Sequence, residues 1–155
     1  MVSKKRFMQL KFISSIFNLA LNEIEETLGF ETLTMIFRRV GEASGENIAQ
    51  RFKGRYSNIG DFMKLVMENS INPVIGEGKG SFTVDGENIS VSLAACPYKQ
   101  AGGFPIEDMK FFCHYTEGML ERAVQEAFPD KNYILKTEEL ISDACQNCKF
   151  LIESQ

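Results

Sequence analysis

All four cysteines of this 155-residue chain fall between residues 96 and 148, as Cys96, Cys113 and the pair Cys145-Gln-Asn-Cys148. Cysteines used only as small core hydrophobes would be scattered along the chain. Two separate cysteines joined to a C-x-x-C pair match the ligand count of a structural zinc site. Such a site restricts the fold, because the elements carrying Cys96, Cys113 and the pair must meet. Thiolates select soft or borderline ions, and four sulfurs suit a closed tetrahedral site, so zinc is the expected metal. Unliganded cysteines and a redox dithiol are the alternatives. A redox C-x-x-C normally opens a helix, whose N-terminus lowers the thiol pKa, whereas this one opens a strand pattern. His114 follows Cys113 directly, and neighbouring helix residues diverge by about 100°, so we read it as a rim histidine rather than a ligand.

A chain of this length is expected to form one domain, residues 1–155, with its own core. It is 44% hydrophobic and 25% charged, as in an ordinary globular protein. The net charge of −4 argues against nucleic acid as the main partner. No apolar run is long enough to span a membrane. The N-terminus lacks a signal-peptide pattern, because Gln9 and Lys11 interrupt its apolar part. We therefore expect a cytoplasmic protein, whose reducing surroundings favour metal ligation over disulfides.

Apolar residues recur at helical spacing from about Lys5 to Leu28: Leu10, Ile13, Phe17, Leu21, Ile24 and Leu28. Gly29 follows as a helix stop. Met8, Phe12, Ile16 and Leu19 form a second stripe, so this helix needs two packing partners. Those partners lie within the fold or across a dimer, and we expect a homodimer through this helix. A second helix spans about Glu31 to Phe52 and contains Gly41 and Gly45. Two glycines cost helix propensity, which points to close approach of another backbone. A third helix is expected from about Asn58 to Glu68, and Asn72-Pro73 ends the helical half.

The period then changes from 3.6 to 2. Phe82 and Val84 alternate up to Asp85-Gly86, a hairpin turn, and Ile89, Val91 and Leu93 alternate on the return strand. The glycines between Gly76 and Gly80 lack phosphate-loop spacing and read as turns. After the Gly102-Gly103-Phe104-Pro105 loop, a helix runs to about Ala127, with Pro105, Glu107 and Asp108 suited to its first turn. Its inner face carries Met109, Phe112, Cys113, Thr116, Leu120, Ala123 and Ala127. Strands at about Tyr133–Lys136 and Cys148–Glu153 close the chain. The pattern is α+β: N-terminal helices on an antiparallel sheet of about four strands, with one helix between two hairpins.

No nucleophile can be paired with a base: there is one His, no G-x-S-x-G and no H-E-x-x-H. Thirteen Phe and seven Met without Trp make a soft, aromatic interior.

Three stretches carry a resemblance. They are Arg39 to Ala49 with its two glycines, the Cys113 helix with Gly118-Met-Leu, and the closing Cys148-Lys-Phe150 strand. Together they resemble the vinyl-4-reductase domain family across roughly the whole chain. The resemblance implies an α+β small-molecule-binding domain, related in fold to TRAPP vesicle-tethering subunits and haem nitric-oxide sensor domains. Relatives sense aromatic hydrocarbons or serve as tetrapyrrole-related proteins, and several bind zinc through cysteines of the terminal region. Cys113 matches the family's helix cysteine and Cys148 its last one. Leu140 and Ile141 stand where another cysteine would fall, and Cys145 substitutes for it. Glu138 and Cys96 compete for the fourth position. Nothing aligns His114 with the axial histidine of the haem relatives.

The expectation is therefore a zinc-containing domain, sensory or carrier in role, that binds a hydrophobic or aromatic molecule. Phe37, Val40 and Ile48 on the second helix and Phe112 and Thr116 opposite are expected to wall the pocket. Its output would pass through a separate partner. The alternatives are an enzyme or enzyme subunit acting on a tetrapyrrole or hydrophobic molecule, and an assembly adaptor without ligand.

Overall fold

The computed structural model describes residues 3–100 and 110–155. The expected start of the fourth long helix, including Pro105, Glu107, Asp108 and Met109, lies outside these residues.

Helix α1 (Lys4–Leu28) is capped by Ser3, whose Oγ accepts from the Arg6 N–H. Gly29, at φ 83°, then turns the chain into α2 (Phe30–Phe52), a conformation that favours glycine. Asn58 caps α3 (Ile59–Val66), its Oδ1 accepting from the Asp61 N–H at 2.9 Å. The helical half does not stop at Asn72-Pro73. A π-helical turn (Met67–Ile71) widens the helix and leads into a short α4 (Asn72–Ile75). Pro73 lacks an N–H, and it falls in the first turn after the register shift, where none is required.

Strands β1 (Gly80–Asp85) and β2 (Asn88–Leu93) form the first hairpin. A short α5 (Pro97–Gln100) follows, then α6 (Lys110–Ala127). Strands β3 (Tyr133–Glu139) and β4 (Cys148–Ser154) form the second hairpin, with a 3₁₀ turn (Ile141–Asp143) between them. The sheet order is β1-β2-β4-β3, antiparallel throughout, so the last strand lies inside the sheet. This is the α+β arrangement read from the sequence.

Ile89, Val91 and Leu93 of β2 and Phe150 and Ile152 of β4 are buried on one sheet face. Phe62, Met63 and Val66 of α3 and Leu120 and Val124 of α6 complete that core. Helix α6 crosses α2 at backbone contact. A Cβ on Gly41 would collide with the Tyr115 carbonyl, and one on Gly118 with that of Arg38. The glycines therefore meet the requirement for close approach that their helix cost implied.

Helix α1 departs from the core-helix alternative. Of its first stripe only Leu21 is buried, while Phe12 is 66% and Ile16 51% exposed. Leu21 packs with Leu33, Phe111 and Phe112 in a second small cluster. Among the described residues, the stripe positions before Leu21 stay exposed. Among the described residues, no helix is long and apolar enough to cross a membrane.

Candidate functional site

A cavity of about 330 Å³ lies between α6, the sheet and the π turn. Its position follows from local geometry. The widened π turn places Ser70 and Ile71 on one wall, and π turns recur at functional sites. Asn72, which is buried, accepts the Gly80 N–H at 2.9 Å and so ties this segment to β1. Helical periodicity puts Phe112, Thr116 and Met119 of α6 on the opposite wall. Leu93 and Phe150 of the sheet line the space between them. Tyr98 of α5 stacks on Phe112 with ring centroids 4.1 Å apart. Burial pushes its phenol well above the usual tyrosine range.

Of the five residues expected to wall a pocket, Phe112 and Thr116 line this cavity. Phe37 instead packs edge-on against Phe111 and Phe112, at 4.9 and 4.8 Å. Val40 is 52% exposed, because it stands a helical step away from Gly41, which faces α6. Ile48 is a core residue that lines a separate cleft on the far side of Tyr115 and Met119. Sequence reading missed Ser70, Tyr98, Tyr115 and Met119. The spacing of Phe112, Tyr115, Thr116 and Met119 (i, i+3, i+4, i+7) was the available signal for the α6 pair. The π turn left no such signal.

The four cysteines converge at one end of the cavity, on separate elements. Cys96 follows β2, Cys113 lies on α6, Cys145 follows the 3₁₀ turn and Cys148 opens β4. Cys96, Cys113 and Cys148 line the cavity itself, and Cys145 joins Cys96 around an adjoining depression beside Ile141. All four are free thiols and half-buried. Burial pushes the Cys113 thiol up to about 11, opposed by a Ser142 hydroxyl 3.6 Å away and reinforced by Cys148 and Cys96. Cys148 is also raised by burial, opposed by the Ile141 N–H that it accepts at 3.3 Å, with Cys96 and Cys145 nearby.

The donor set suits a thiophilic ion by chemistry: Cys113 feels Cys148 and Cys96, Cys148 feels Cys96 and Cys145, and Cys148 already accepts a backbone N–H. Among the described residues, no three His, Cys, Asp or Glu are grouped tightly enough to hold a metal ion. Glu138 is exposed at an irregularity in the β3–β4 pairing, beside Lys149. His114 turns to Glu117, with Nδ1 2.8 Å from its Oε2. That carboxylate also accepts from the Thr137 hydroxyl at 2.6 Å and lies 3.6 Å from Arg38, in a network binding α2, α6 and β3.

No protein-family model matches the chain. No curated protein matches it either. Solved structures do match. The chain is similar to the phenol-responsive sensory domain of the transcription activator PoxR, solved with phenol, at 15% identity and TM-score 0.68 over 90% of this chain and 73% of that one. It is similar to a trafficking protein particle complex subunit 3 from Naegleria fowleri, covalently bound to palmitic acid, at 9% identity and TM-score 0.61 over 94% and 96% of the two chains. An H-NOX protein from S. oneidensis matches at 12% identity and TM-score 0.59, over 92% and 76%. A vinyl-4-reductase family protein from Methanocaldococcus jannaschii also matches, more loosely, at 15% identity and TM-score 0.46 over 94% and 81%. The matches include the family and both fold relations that the sequence resemblance named. At these identities the first three establish the fold.

Proposed function

We propose that this chain is a sensory or carrier domain that binds an apolar or aromatic small molecule in the cavity between α6, the sheet and the π turn. The observation that carries this reading is the cavity itself. Its volume of about 330 Å³ falls within the range of small-molecule sites, roughly 300–1,000 Å³. Its lining is apolar and aromatic, with the Thr116 and Ser70 hydroxyls able to orient a ligand. Structures of the same fold holding phenol and palmitic acid support it.

Cys96, Cys113, Cys145 and Cys148 would hold a zinc ion at the end of this cavity. When bound, it would supply a structural cross-link between the segment after β2, α6 and the start of β4. The chain's own contribution would be to close the four thiols around the ion, with the Ile141 N–H donating to Cys148. Helix α1 would pair with its counterpart in a second copy, covering the stripes that contain Phe12 and Ile16.

The test is a thermal-shift and calorimetric screen of phenols, aromatic hydrocarbons and medium-chain lipids against the parent and Thr116→Phe. Stabilisation of the parent, reduced more than tenfold in affinity by a phenyl ring placed in the cavity, is the expected result. Ligands that bind parent and variant alike would move the site elsewhere, and a screen with no binder would remove the reading.

A further inference from the structure

Beyond Tyr115 the cavity has a neighbour. A second space, also about 330 Å³, lies on the other side of Ser70, Tyr115 and Met119, and these three residues line both. This cleft is polar where the cavity is apolar. Ser44, Asn47, Arg51 and Asn69 line it, from α2 and the π turn. Arg51 is its cation. The guanidinium donates to the Ser70 hydroxyl at 2.6 Å and lies 4.8 Å from the centre of the Phe52 ring. Among the described residues, no carboxylate pairs with it.

The partition consists of residues that face both spaces. The Tyr115 hydroxyl reaches into the cleft, 3.0 Å from Ser44 Oγ, while its side chain also lines the cavity. Ser70 touches Arg51 from the cavity side. Both hydroxyls already bond to groups of the cleft, so turning either onto a ligand exchanges one hydrogen bond for another. Met119, between them, is unbranched and adaptable.

We propose that the ligand is an amphiphile, with its apolar body in the cavity and an anionic carboxylate head in the cleft, held by the Arg51 guanidinium. This rests on the cavity reading above and names the ligand class for that same site. A guanidinium fork matches a carboxylate in geometry and charge. Asn47 supplies a further amide donor, Asn69 a second N–H beside the one that it gives to the Leu65 carbonyl at 2.9 Å, and the Ser70 and Tyr115 hydroxyls stand between the body and the head. Arg51 is exposed, so its charge is hydrated when no ligand is bound, and a carboxylate head would replace that water with a direct ion pair.

The experiment compares 4-butylbenzoate with its neutral isostere 4-butylbenzamide by calorimetry at neutral pH. The parent is expected to bind the benzoate about tenfold more tightly, the scale of one charge-assisted over one neutral hydrogen bond. Arg51→Gln should bring the two dissociation constants together. Asn47→Asp, at an exposed position, should lower the benzoate preference by setting a like charge in the cleft. Equal affinity for both probes in the parent, or a preference that survives Arg51→Gln, overturns the proposal and leaves the cavity reading standing. If neither probe binds, this proposal falls, and the cavity reading is decided by the wider screen of phenols, hydrocarbons and lipids.

Discussion

Gly45 of α2 faces the backbone of Met119 on α6 so closely that a Cβ there would stand 2.5 Å from the Met119 carbonyl oxygen. Met119 lines both the apolar cavity and the polar cleft, so this approach also sets where the partition between them stands. Gly45→Val should push the helices apart against a tight core. The expected loss is about 3 kcal/mol, at the upper end for overpacking. For a chain this size that corresponds to a fall of about 10 °C in Tm by calorimetry.

Arg38 balances two half-sequestered carboxylates, Glu117 and Glu121, while Glu121 also accepts the Leu135 N–H at 2.8 Å. Arg38→Met would leave both without their cation. Because Arg38 is partly exposed, solvent moderates the loss to about 1–2 kcal/mol. Urea denaturation should show it as a lower midpoint with an unchanged slope, and Arg38→Lys should restore part of it.

Cys113 titrates late because its thiol is buried. In metal-free protein its alkylation by iodoacetamide at pH 8 should run roughly tenfold slower than that of an exposed cysteine, the smaller thiolate fraction being partly offset by higher nucleophilicity. The raised pKa also fixes the sign of the pH dependence. Between the unfolded value near 9 and the folded value of about 11, the folded chain holds a proton that the unfolded chain has lost. Its contribution to stability is therefore complete below pH 9 and is lost as pH rises toward 11. A metal-free protein equally stable across that window would contradict the burial.

Zinc should bind at about one ion per chain, measured by elemental analysis of protein purified without chelator. Cys113→Ser and Cys148→Ser should each lower that content and the melting temperature together, since metal affinity is folding free energy. Protein with no zinc, and variants that melt like the parent, would remove the site.

Phe12 and Ile16 are exposed on α1 and touch no core cluster. Replacing both by Glu should convert a dimer into a monomer by light scattering, with a change within about 0.5 kcal/mol in the stability of the isolated chain. A parent that is monomeric at high concentration would end the dimer reading.

Much of this arrangement follows from local rules. The period change, read three residues early at Asn72-Pro73, separates helices from strands, Asp85-Gly86 forms the hairpin turn, and Gly41 and Gly45 announce a close crossing. The spacing of Cys96, Cys113, Cys145 and Cys148 puts thiols on separate elements, and the packing of those elements sets three of them along the cavity. Phe112 and Thr116 lie on the cavity because a single helix face, read at 3.6 residues per turn, decides both. The partner that α2 would meet at Gly41 was not legible, and that contact sets the rotation of α2 about its own axis. It turns Phe37 into the small aromatic cluster and leaves Val40 in solvent. Nor was the π turn. It stands just before Asn72, which accepts the Gly80 N–H, a bond that no helix propensity encodes. Periodicity assigns residues to faces, but the volume left between faces depends on how elements from distant parts of the chain pack together. That packing opens the cavity beside Met119 and sets Arg51 across Ser70 from it.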